Sequence, residues 1–357
     1  MTAINNHTQY KHNGLSGCIL FILAAICILG CSSATSKGAM SGLKISSSII
    51  IPSLFPFTVC SVFFQKSGGL LWISRKVNLV TSRIFKISGT EFSVMLLSLL
   101  GGYPIGAKIA DELYCSKSID KQTAKKLLRF SVNPSPAFFV SVVGMNIFKN
   151  SLVGILLFAS NLSACLLLNF LFFPKKSKLS DTSYFKSENV SDSLVKSVQA
   201  GAEITISICS FVILFSAISE IIKAMPIVSK AYSFICPFLE ISFGINEIGR
   251  IGIPLCFYSF LLSFGGISTI CQVKQAAKNI NASFFYIFFY RIVHGFTALI
   301  ISMLLFKLFP LSSEVFSNTA DIRFTEYPLF VPSVTLIIFS VLFLFVLSSP
   351  KNAKQLT

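Results

Sequence analysis

Three stretches of this chain carry no charged residue at all over 17 to 23 positions: Leu15–Cys31, Ser151–Phe173 and Pro328–Ser349. A helix rises 1.5 Å per residue, so about 20 apolar residues cross a hydrocarbon core of roughly 30 Å. Runs of that length and purity leave few alternatives to membrane helices. The rest of the sequence agrees. Hydrophobic residues make up 53% of the chain and charged residues only 12%, with 37 Phe; soluble domains carry about 25% charged residues. The chain is expected to be an all-α polytopic membrane protein with the lipid bilayer as its first partner.

Several function classes drop out. A net charge of +16 would suggest nucleic acid in a soluble protein. In a polytopic chain it reflects cytoplasmic loops that obey the positive-inside rule, so no nucleic-acid partner is expected. The ten Cys lie mostly within apolar runs and form no CxxC pair, which predicts neither a disulfide framework nor a metal site. There is no HExxH, GxSxG, P-loop or paired-carboxylate signature, so no catalytic residue, cofactor or enzyme activity is expected. The first run, Leu15–Cys31, reads as a transmembrane helix; the small residues of GCSSATS behind it also fit a signal-peptide cleavage site.

Along the chain, Ser32–Lys44 reads as a polar loop and Ile45–Phe64 as a kinked span or an interfacial helix, because of Pro52 and Pro56. Gln65–Lys86 carries five basic residues and no acid, and Lys175–Lys196 is a polar linker. Two stretches then align: LLSLLGG (Leu96–Gly102) over FLLSFGG (Phe260–Gly266). Each ends an apolar run in Gly-Gly, and each is followed by a Lys-bearing polar segment and a clean span. The basic loops belong inside and the acidic Leu311–Tyr327 loop outside. The clean span of the first unit then runs inward and Ser283–Phe309 runs outward, which makes an inverted-topology repeat. The expected organisation is a tail and first helix (1–41), a first unit (42–174), a cytoplasmic linker (175–197), a second inverted unit (198–310), and an external loop, last span and tail (311–357).

Broken helices locate the candidate site. A free backbone N–H or C=O in hydrocarbon costs several kcal/mol, so irregular backbone at that depth survives only inside protein or beside a wet cavity. Paired breaks in two inverted units point to a solute site near the midplane, built from re-entrant helical hairpins. The candidate binding residues of the first break are Gly101, Gly102, Tyr103, Pro104, Gly106 and Lys108, with Lys108 also suited to an i,i+4 surface pair with Glu112. Asp111 beside them reads as a bland surface charge. Asn133 and Ser135, set between prolines in SVNPSP, offer an amide and a hydroxyl. The second break supplies Gly265, Gly266, Ser268 and Gln272. Glu240, Arg291 and His294 are candidate intramembrane charge partners, since ionisable groups at that depth are functional by default. For His294 a structural hydrogen bond and a proton-carrying role both fit.

The segments GGYPIGAKIADEL, TAKKLLRF and NPSPAFFVSVVG, with IIPSLFPF and LLSFGGISTICQV, resemble the YlbJ family of sporulation integral membrane proteins from spore-forming Firmicutes. The resemblance spans roughly Gly42–Phe309. It implies a Gate, or nucleoside-recognition, domain of the kind found in concentrative nucleoside transporters and ferrous-iron permeases. It also implies a multi-pass protein in the cell membrane of a spore-forming Gram-positive bacterium. Two functions follow as expectations. One is binding or translocation of a small polar solute, nucleoside-like or other, with a coupling ion. The other is a non-transporting membrane scaffold for cortex or coat assembly, working as a homo-oligomer or with sporulation membrane partners.

Overall fold

The computed structural model describes residues 2–85, 87–172, 189–249 and 251–310. Most of the expected linker (175–188) and the whole of 311–357, including the run Pro328–Ser349, lie outside the described residues. Every regular element among the described residues is a helix, and five stretches are long and apolar enough to cross a membrane. The chain is an all-α multi-pass membrane protein.

The first helix, α1 (Thr2–Gly30), carries the apolar stretch Gly17–Gly30 at its C-terminal end. The stretch expected to be a polar loop is instead helical. α2 (Ser32–Ile45) passes through a π-helical turn at Ser46–Ile50 into α3 (Ile51–Lys66), giving one continuous 35-residue span. The π turn sits just ahead of Pro52 and Pro56, which lack the N–H donors of a regular ladder. The small residues that suggested a loop are the packing surface. Gly38 lies against Ser216 and Ala217, Gly42 against Ile213, and Gly201 against Val59. Ascending positions on one helix meet descending positions on the other. Ser32–Lys66 therefore runs antiparallel to a second 35-residue helix, Val190–Ala224, at the close approach that small side chains permit.

After this span come α4 (Gly69–Ile84), α5 (Gly89–Gly101) and α6 (Tyr103–Cys115). α4 packs on α5 through Ser74 and Thr90, whose hydroxyls are 2.9 Å apart, and exposes Trp72, Leu79, Val80 and Ile84. α5 opens with a capping box, in which Ser88 Oγ accepts from Glu91 N–H and Glu91 accepts from Ser88 N–H. It stops at Gly102, whose φ of +86° and ψ of −174° suit glycine almost alone. α6 restarts at once, with Pro104 in its first turn where no N–H is needed. It folds back on α5, because Gly106 faces the Ser98 side chain. In a continuous helix those residues would stand about 12 Å apart. The pair is a helical hairpin with its tip at Gly102. A methyl at Gly102 would have room, with Leu54 Cδ2 the nearest atom at 3.6 Å. Gly102→Ala should therefore cost about 1–3 kcal/mol from backbone conformation alone, read as a lower Tm without loss of hairpin packing.

α7 (Lys121–Phe130) is capped by Asp120, and the chain then breaks at residues 131–135 before a helical turn leads into a π-helix, Phe138–Ile147. α8 (Ser151–Phe172) closes the first half and α9 (Val190–Ala224) opens the second, so α9 takes in the last eight residues of the expected linker. α10 (Tyr232–Leu239) and α11 (Ile241–Gly249) follow. The sequence suggests one interrupted helix here, but the structure shows a second hairpin. A Cβ on Gly244 would come 2.4 Å from Pro237 Cα, so the chain reverses at Glu240, whose backbone is extended. α12 (Leu255–Phe264) and α13 (Gly266–Ala276) form one 22-residue apolar span interrupted at Gly265 and Gly266, both with φ above +80°. α14 (Phe284–Leu308) is the last described helix and packs on α8 and α12.

The matched Gly-Gly stretches are thus unlike parts. Gly101–Gly102 closes a hairpin tip, whereas Gly265–Gly266 interrupts a span. The second hairpin tip is at Glu240, and a further break lies at residues 131–135. The likeness arises because both sites end an apolar helix with glycine in a positive-φ conformation. That local requirement does not fix which way the chain goes next.

Candidate functional site

Both hairpin tips, the break after α7 and the interruption of the α12–α13 span meet at one place. The first hairpin sits on the first break. Ser98 Oγ donates to the Ser131 carbonyl, and Gly106 is so close that a Cβ would stand 1.9 Å from that same oxygen. The second hairpin sits on the second break, with Gly266 facing the carbonyls of Pro237 and Leu239. Tyr103 links the halves. Its hydroxyl donates to the Leu262 carbonyl and its ring lies against Gly265.

Arg291, on α14, is 1% exposed and stands behind this junction. Its Nε donates to the Phe264 carbonyl at 3.0 Å, and its terminal nitrogens donate to the carbonyls of Ser263 and Val132. The Ser263 and Phe264 carbonyls are orphan acceptors that the end of α12 leaves, and the Val132 carbonyl lies two residues past the end of α7. One guanidinium thus satisfies acceptors from both breaks. The Tyr103 ring covers it, with the guanidinium carbon 5.3 Å from the ring centroid.

In front of the junction is a cavity of about 50 Å³. Its walls come from the first tip (Gly102, Tyr103, Pro104), the first break (Pro134, Ser135), the second tip (Glu240, Ser242) and α13 (Thr269, Gln272). The two long helices close it with Ile49, Ser53, Leu54, Ile208 and Val212. A water needs roughly 10–15 Å³ by this measure, so the space holds a few waters or one very small solute.

Of the candidate residues, Gly102, Tyr103, Pro104, Ser135, Gln272 and Glu240 line this cavity. Gly101 packs against Ile105, and Gly106, Gly265 and Gly266 supply close approach behind the walls. Ser268 accepts from Gln272 Nε2 at 3.2 Å and so orients it. Asn133 is buried and directs Nδ2 to Cys165 Sγ at 3.8 Å. Lys108 lies away from the cavity, 3.8 Å from Glu112, with both side chains about a third exposed. His294 Nε2 lies 3.1 Å from the Asn161 carbonyl oxygen, in a polar seam between α8, α12 and α14 that also holds Ser160, Ser259 and Ser263.

The expected charge partnership is replaced by backbone contacts. Among the described residues Glu240, Arg291 and His294 form no ion pair. Glu240 Oε2 accepts from the Phe243 N–H at 2.6 Å, capping α11, while Arg291 takes carbonyls. Breaks leave donors at one helix end and acceptors at the other, and each charge finds its complement there. Asp111 is likewise no surface charge. It is 3% exposed, and its carboxylate accepts from Asn279 N–H, Asn279 Nδ2 and Ile280 N–H at 2.7–3.0 Å. A second buried pair, Lys126–Glu91 at 2.8 Å, ties α7 to α5.

Sequence reasoning passed over Ser53, Pro134, Ser242 and Thr269 as cavity walls. Ser53 was hidden in a proline-kinked apolar run. Ser242 became legible only once Glu240 proved to be a tip.

The chain is similar to the sporulation integral membrane protein YlbJ of Bacillus subtilis (strain 168), with 21% identity over 341 residues, covering 83% of this chain and 84% of the relative. That match bears out the family resemblance carried by the motifs. No family profile matches the chain, and no solved structure gives a significant match.

Proposed function

We propose that this chain is a sporulation membrane protein of Gate-like, inverted-repeat architecture that binds, and by parting its hairpin tips translocates, a small polar solute. The observation that carries this is the cavity itself. Two hairpin tips, the break after α7, α13 and the two long helices enclose it, and Ser53, Ser135, Glu240, Ser242, Thr269 and Gln272 give it polar groups within an apolar bundle. Irregular backbone at this depth is the mark of a solute site in secondary transporters. Binding pockets for drug-sized molecules take about 300–1,000 Å³, so a nucleoside-sized solute requires the tips to separate first.

The test is uptake by the full chain in liposomes across a panel of nucleosides, amino acids and small organic ions. Glu240→Gln and Ser135→Ala are expected to abolish or strongly reduce uptake of the accepted solute while expression and Tm stay near wild type. Uptake unchanged in both variants contradicts the assignment of the cavity.

A second reading has its own support. The carbonyls of both breaks are tied down by Arg291, and the space between the tips is small. A scaffold for envelope assembly, acting with sporulation membrane partners or as a homo-oligomer, needs nothing more open. It predicts no uptake of any solute, together with loss of sporulation in the same variants.

A further inference from the structure

We propose that the Arg291 guanidinium is the resident cation of this fold. It fills the place where converging helix ends would otherwise hold a metal cation, so the junction takes no sodium or other coupling ion.

α7 ends at Phe130 and α12 ends at Phe264. Each helix C-terminus carries roughly half a negative charge on its free carbonyls. The acceptors just beyond α7 (Val132) and at the end of α12 (Ser263, Phe264) converge on one point. Unwound carbonyls and half-helix C-termini are what bind Na⁺ or H⁺ in broken-helix transporters. Here that point is taken by a side chain. The guanidinium presents five N–H donors in a planar fork, and three carbonyls receive them, two at the end of α12 and one in the break after α7. No carboxylate pairs with it among the described residues, so the helix ends supply the compensating charge. The Tyr103 ring seals the open side.

A cation bound covalently to α14 behaves differently from an ion that comes and goes. It keeps both breaks charge-compensated at all times and does not depend on an ion gradient. Conformational change would then fall to the hairpin tips, which Arg291 does not bond except through Tyr103. Independence from a bound metal ion holds whether or not a solute is moved.

Thermal unfolding of the purified full chain tests it without any transport readout. Wild type is expected to show the same Tm in sodium, lithium, potassium and choline chloride at equal ionic strength. Arg291→Ala should lower Tm by roughly 10 °C and recover part of that loss in low concentrations of methylguanidinium, which should not raise the wild-type Tm. Arg291→Lys, a point charge that cannot span three carbonyls, should fall between the two. A wild-type Tm that rises in sodium over choline overturns the proposal. So does an Arg291→Ala variant with wild-type Tm, or one that methylguanidinium fails to rescue. If Arg291→Ala does not fold, the wild-type salt series decides, and saturable binding of ²²Na⁺ to wild type would overturn the proposal in the same way.

Discussion

Gly106→Ala should destabilise the protein by roughly 3 kcal/mol, the upper end of ordinary overpacking, although it adds a single methyl. That methyl would stand 1.9 Å from the Ser131 carbonyl oxygen and 2.7 Å from Ser98 Oγ. Neither neighbour can retreat cheaply. Ser131 belongs to the first break, whose next residue is bonded to Arg291, and Ser98 donates to the very carbonyl that the methyl strikes. Gly244→Ala should behave alike in the second hairpin, where the contact is with the Pro237 backbone at 2.4 Å. Gly30→Ala, with nothing within 4 Å, is the control and should be neutral. Size-exclusion profiles after a temperature series in detergent give all three. If Gly106→Ala and Gly244→Ala match Gly30→Ala, neither hairpin is folded back as described.

Asp111→Ala should cost about 4 kcal/mol, because hydrogen bonds to a charged group are worth about 1.5–3 kcal/mol each and do not add fully. Removing the carboxylate leaves two backbone N–H groups and one amide of Asn279–Ile280 with no protein acceptor, in a turn where Asn279 is exposed and Ile280 is buried. That turn joins α13 to α14, so its loss loosens the first hairpin's hold on the second half. Asp111→Asn keeps one carbonyl oxygen and should lose about half as much. The same thermal series, with proteolysis at the 277–282 turn as a second readout, checks both. Equal stability of Asp111→Ala and wild type would return Asp111 to a surface charge.

The membrane class, the all-α architecture and the span at α8 were readable from charge-free runs, and the spans at α9, α12–α13 and α14 from long apolar runs with few charges, because burial in lipid imposes composition directly. The first broken site was also readable, since glycine, glycine and proline within six residues have few uses inside a helix. Three features were not. Ser32–Lys44 looked like a loop because serine and glycine serve both loops and tight helix packing, and only Gly38 and Gly42 meeting Ser216 and Ile213 decides between them. The second hairpin was hidden because Glu240 makes a tip with an extended non-glycine residue, and Gly244 acts by close approach rather than by an unusual φ. Asp111 looked exposed because its acceptor role depends on Asn279, 168 residues away, a pairing that no local pattern encodes. Arg291 was noticed for its depth, but its three carbonyl partners come from segments that only the fold brings together.

The most direct test of two hairpins entering from opposite sides is cysteine labelling in intact cells, one cysteine at a time in an otherwise cysteine-free chain. Ile84→Cys and the native Cys115 flank the first hairpin; Ile227→Cys and Ile251→Cys flank the second. All four positions are exposed. The opposed-hairpin architecture predicts that an impermeant maleimide leaves Ile84→Cys and Cys115 unlabelled, as cytoplasmic positions, and labels both Ile227→Cys and Ile251→Cys. Labelling of just one member of either pair would mean that the hairpin crosses the membrane, and would contradict it.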